Sequence, residues 1–104
     1  MWANVSSINL TMSYSGGAVN WTGKITGYSG VNSISATFKL EKLNSSGKYE
    51  LVNSWSASSS STTLYKAASQ TTAKGTYKLS VSGTVKTSSG STETVSDSLV
   101  KTFN

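Results

Sequence analysis

The chain of 104 residues contains no cysteine, no histidine, no proline and no arginine. Without cysteine there is no disulfide and no thiolate or zinc–thiolate chemistry. Lacking histidine, it has neither the usual general base near neutral pH nor the commonest metal ligand. The absence of arginine removes bidentate recognition of carboxylate, phosphate and guanine. Acids are scarce too: Glu41, Glu50, Glu93 and Asp97 are the only four, against nine lysines, for a net charge of +5. Such a surplus can attract an anionic surface, a glycan or a nucleic acid. The lysines are scattered along the chain, however, which reads as solubility. No apolar stretch approaches a membrane-spanning length. The first residues, Met1 to Val5, lack the basic and apolar regions of a leader. Composition favours an exported protein in which Met1 stands in place of a removed leader, over a cytoplasmic one.

What is abundant is hydroxyl: serine and threonine make up more than a third of the chain. That composition can accompany disorder, but here the apolar residues are periodic. Between Thr76 and Thr87, Tyr77, Leu79, Val81, Gly83 and Val85 alternate with Lys78, Ser80, Ser82, Thr84 and Lys86. A strand points successive side chains to opposite faces, so this segment has a dry side and a hydroxyl-rich wet side. Ile8, Leu10, Met12 and Tyr14 form a second such series, closed by the turn residues Ser15-Gly16-Gly17. Val19, Trp21, Gly23 and Ile25 form a third, in which Gly23 makes room for a bulky neighbour, Trp21 or a facing aromatic. Ile34, Ala36, Phe38 and Leu40 form a fourth.

A fourth strand in chain order is expected over residues 48–57, with its register open: Tyr49, Leu51 and Trp55 share one parity and Val52 has the other. Residues 58–63 read as loop or weak edge strand, and residues 64–68 as a short fifth strand or a turn. Residues 92–103 form the last strand and bury Val95, Leu99 and Phe103. Seven short strands, with turn signals such as Asn44-Ser45-Ser46-Gly47 and Ser88-Ser89-Gly90-Ser91 between them, predict a single all-β domain over residues 1–104. Its architecture is an antiparallel two-sheet β-sandwich, immunoglobulin-like.

The segment Lys74-Gly75-Thr76-Tyr77-Lys78-Leu79-Ser80-Val81 resembles the start of the penultimate strand in immunoglobulin-like and fibronectin-like sandwiches. Tyr77 would be the tyrosine that hydrogen-bonds back to the preceding corner. A wider pattern, Trp21-Thr22-Gly23, Ile25 to Gly30, Ile34 to Thr37, Leu40-Glu41-Lys42, Trp55-Ser56 and Gly75-Thr76-Tyr77, resembles small secreted Ser/Thr-rich proteins of gut Firmicutes, an uncharacterised family. Many members carry cysteines and this chain has none. The resemblance implies an exported sandwich and carries over no catalytic residue.

Catalytic constellations find little support. Glu41 and Glu50 flank one hairpin loop and are the acids best placed for a glycosidase pair; the plainer reading pairs them with Lys39, Lys42 or Lys48 on the surface. A serine nucleophile has no histidine base, which leaves only a Ser–Lys pair. No glycine-rich turn leads into a helix to cradle phosphate. No metal-ligand spacing appears, so no cofactor is expected. A Lys–Asn isopeptide bond would need a buried acid; Asp97 shares parity with Val95 and Leu99, although an edge position suits it better. Four Asn-X-Ser/Thr sequons, beginning at Asn4, Asn9, Asn20 and Asn44, are the chance yield of so many hydroxyls.

Aromatic residues are the better lead, because exposed rings stack on sugars or anchor protein interfaces. Trp21, Phe38 and Tyr77 read as core. Trp2, Tyr14, Tyr28, Tyr49, Trp55 and Tyr65 are open, and Trp55, Tyr28 and Tyr49 are the candidate ligand-binding residues. Trp55 has a rival reading as a plug at the end of the core. Three functions follow: a non-catalytic extracellular module that recognises a host or bacterial surface protein, immunoglobulin being one such partner; a carbohydrate-binding module; or a passive stalk domain. Nucleic acid and membrane insertion are not expected.

Overall fold

The computed structural model describes residues 4–104. Seven strands account for nearly all of it: β1 (Val5–Ser15), β2 (Ala18–Gly27), β3 (Val31–Leu43), β4 (Tyr49–Ser59), β5 (Thr63–Thr71), β6 (Gly75–Thr87) and β7 (Thr92–Phe103). A three-stranded sheet, ordered β1-β2-β5, packs against a four-stranded sheet, ordered β4-β3-β6-β7, and every pairing is antiparallel. The expected all-β sandwich is what forms. β4 lies beside β3 in the larger sheet, whereas the constant-type immunoglobulin arrangement sets its fourth strand beside the fifth.

The alternating residues explain the layers. Val19, Trp21 and Ile25 of β2, Ile34, Phe38 and Leu40 of β3, and Tyr77, Leu79, Val81 and Val85 of β6 are all buried in one continuous core. Among the described residues no polar or charged side chain is buried there. The three strands central to their sheets or carrying the strongest alternation thus supply the interior, and hydroxyls stay in water.

Three details bear on the sequence reading. β5 is a full nine-residue strand rather than a short piece or a turn, because its pairing with β2 runs from Thr63 to Thr71. β4 reaches Ser59, taking up the start of the serine run. Its ambiguous register has a cause: Leu40 pairs with Asn53 but Glu41 with Leu51, so Val52 is an extra residue, a β-bulge. The bulge turns Val52 against the core and leaves Leu51 59% exposed.

Tyr77 is the corner tyrosine expected from its position. Its hydroxyl donates to the Ala73 carbonyl at 2.5 Å, so the Thr72 hydroxyl, 2.9 Å away, donates to it in turn.

The sandwich is elongated, 47 × 26 × 18 Å. One pole, here the upper, gathers the start of β1 and the β2–β3, β4–β5 and β6–β7 loops; Tyr28 N–H donates to the Asn4 carbonyl and Ser88 N–H to that of Gly30. The lower pole gathers the β1–β2, β3–β4 and β5–β6 loops and the end of β7, where Phe103 pairs with Gly75. Thr72 N–H donates to the Gly17 carbonyl across it.

Candidate functional site

The three aromatic candidates do not converge. Trp55 is directed inward: it pairs with Phe38, and its ring centroid lies 5.0 Å from that of Trp21. It is partly buried and closes the core on the side of the edge strand β4. Tyr49 stands at the lower pole, half-buried, with the Lys78 ammonium 5.6 Å from its ring centroid. Tyr28 is at the upper pole and 50% exposed. Tyr65, on the outer side of β5, is also exposed, at 60%. Trp2 lies outside the described residues.

The acids are equally dispersed. Glu41 pairs with Leu51 while Glu50 pairs with Lys42, the adjacent position, so the two carboxylates point to opposite sides of the sheet. Asp97 is exposed on the edge strand β7, which gives it no buried place in an isopeptide triad. Among the described residues no group of acids can hold a metal ion.

What the register does assemble is the outer face of the larger sheet. Reading across β4, β3, β6 and β7, one row is Ser58, Ser35, Thr84 and Thr94; the next is Ser56, Thr37, Ser82 and Ser96; the third is Ser54, Lys39, Ser80 and Ser98. Every position but Lys39 is a serine or threonine. Neighbours stand about 4.8 Å apart across strands and about 6.8 Å apart along them. None of these hydroxyls bonds another described group; only the backbone N–H of Ser54 and of Ser98 takes a side-chain partner. On the smaller sheet the outer hydroxyls partly satisfy each other, as in the Thr11–Thr22 pair and the bond from Ser6 to the Thr26 carbonyl.

The surface is shallowly concave where Ala36, Ala57 and Gly83 underlie it, in an open depression of 540 Å³. Its chemistry is that of many neutral donors and acceptors with one lysine among them. Such a face can take hydrogen bonds from a broad partner and holds no group poised for proton transfer. Individual strands advertised this face in the sequence; its continuity across four strands depends on register, which alternation within one strand does not specify.

A scan against protein-family models found no match to this chain, and a search of curated proteins found none either.

Proposed function

We propose that the protein is a non-catalytic extracellular binding module that recognises a host or bacterial surface protein through the outer face of the larger sheet. The observation that carries this reading is the unpartnered hydroxyl grid around Thr37 and Ser82, a broad face whose donors and acceptors are left for water or a partner. Free hydroxyls on a rigid sheet bond a partner with little ordering cost, and few charges there restrict which partner is tolerated. The resemblance to secreted Ser/Thr-rich proteins of gut Firmicutes supports the extracellular setting. Immunoglobulin remains one partner of the right kind, itself presenting sheet faces. The absence of histidine and cysteine and the separation of Glu41 from Glu50 support a non-catalytic role. A carbohydrate-binding module is the second reading, carried by Tyr28 and Tyr65, the exposed rings among the described residues.

The test is retention of serum and mucus proteins on the purified domain, in parallel with a glycan array. The expected outcome is protein retention that free sugars do not compete and that Thr37→Lys with Ser82→Lys abolishes, while Thr22→Lys on the other sheet leaves it intact. Glycan hits lost on Tyr28→Ala would replace this reading with the second, and silence in both arms would leave a stalk domain.

A further inference from the structure

Lysines that are scattered in the sequence are gathered by the fold. Lys42, Lys48, Lys74, Lys78 and Lys101, five of the nine, lie at the lower pole, because that pole collects the β3–β4 and β5–β6 loops with the end of β7. Lys42 and Lys101 flank Tyr77 in one cross-strand row. Four of the five heads are held in place, those of Lys42 and Lys101 on the inner side of the larger sheet and that of Lys78 on its outer side. The Lys42 ammonium sits 5.8 Å from the Tyr77 ring centroid, that of Lys74 6.0 Å from Tyr14, and that of Lys78 5.6 Å from Tyr49. Lys101 Nζ donates to the Met12 carbonyl at 3.2 Å.

Ring faces and a carbonyl orient these cations without neutralising them. Glu41 and Glu50 are the acids nearby, in register with Lys78 and Lys42, and neither closes to an ion pair. At the upper pole, by comparison, Glu93 pairs with Val85 and its carboxylate accepts from the Asn4 N–H.

We infer that the lower pole is a binding site for a linear polyanionic glycan, separate from the sheet face proposed above. Ammonium groups are point charges without the arginine fork, so they read the density of sulfate or carboxylate along a polymer rather than the geometry of one group. Ser45 and Ser46, exposed in the neighbouring loop, supply hydroxyls for the sugar. An acidic protein fits less well: a protein interface is anchored by large apolar side chains in its centre. Around Lys42, Lys74 and Lys101 the rings lie beneath lysine heads, and the exposed Leu51 and Val100 stand on the opposite side of the larger sheet, in the row of Glu41 and Lys78.

The experiment compares two triple variants of equal charge. Lys42→Gln, Lys74→Gln and Lys101→Gln alter the pole; Lys24→Gln, Lys39→Gln and Lys86→Gln alter lysines away from it. Heparin, hyaluronate and poly-glutamate are titrated at about 50 mM NaCl, where few-contact electrostatic binding is measurable. The pole variant is expected to lose heparin affinity roughly tenfold or more and the control about threefold or less, with a shallower salt dependence for the pole variant. Binding of heparin alone assigns sulfate as the recognised group, and binding of hyaluronate as well adds carboxylate; both support the site. Equal losses in the two variants, no binding of heparin or hyaluronate by the native chain, or poly-glutamate bound as tightly as heparin would each overturn it. Acetylation of the native protein with and without heparin gives a reading that needs no variant to fold: Lys42, Lys74 and Lys101 should be protected, and Lys24, Lys39 and Lys86 should not.

Discussion

Gly23 shows how closely the two sheets approach. A Cβ built there would overlap Cε1 of Phe38 on the facing sheet, and Phe38 is fully buried. The ring is hemmed in, its centroid 5.0 Å from that of Trp21. Gly23→Ala should therefore destabilise the protein by about 1–3 kcal/mol through overpacking, seen as a lower urea midpoint with an unchanged m-value. Trp55→Ala is expected to cost about 3–5 kcal/mol, because the indole fills space against Trp21; a thermal melt would show it in the absence of any ligand. The sequence already marked Gly23 as making room, since a glycine among Val19, Trp21 and Ile25 has no other evident use. Which ring it admits depended on how the sheets superpose, information that no single strand contains.

Among the elements, β4 is the least legible in the sequence and β6 the most, for one physical reason. β6 is paired on both sides without a bulge between Ser33 and Phe103's partners, so its parity is constant and its core residues follow from alternation. β4 has one neighbour and an extra residue at Val52, so its parity changes midway and no single alternation describes it. Leu51 and Val52, adjacent and similar in character, consequently differ in environment. Leu51→Lys should leave stability within about 0.5 kcal/mol, whereas Val52→Lys should cost about 1–3 kcal/mol by setting an ammonium against the core. Chemical denaturation of the two variants side by side checks the bulge directly. β5 was underestimated for a related reason: alanines and polar residues at 66–70 give little alternation, and the strand is held by its pairing with β2.

At the scale of the whole molecule, contacts are mostly between residues a dozen or more positions apart in the chain, and the pairings of β2 with β5 and β3 with β6 join strands that are not consecutive. Folding should accordingly take milliseconds to seconds, as in other sandwiches. With no proline and no cysteine in the chain, refolding should show no component of tens of seconds from prolyl isomerisation, and reducing agent should not shift the melt. Stopped-flow refolding after long and short unfolding delays would give the same trace. The candidate site was half legible at this scale. Hydroxyl-rich outer faces followed from alternation, but the gathering of lysines at one pole did not, because Lys42, Lys74 and Lys101 share a neighbourhood only once the loops are assigned to ends. The residues flanking Trp55 and Tyr28 in the sequence report local turn chemistry and not the direction a ring takes in a sheet.

The placement of β1 and β7 has a mechanical consequence. β1 begins at the upper pole and β7 ends at the lower, so a tension applied between Asn4 and Asn104 acts along the 47 Å axis, parallel to the strands. The hydrogen bonds joining β1 to β2 and β6 to β7 would then be loaded in shear, many at once, rather than opened one after another. Rupture under such a load is governed by the unfolding rate, and it requires β1 or β7 to slide along its neighbour as a unit. The hydroxyl face runs parallel to that line of force, and β7, which carries its Thr94, Ser96 and Ser98, is one of the two strands that take the load.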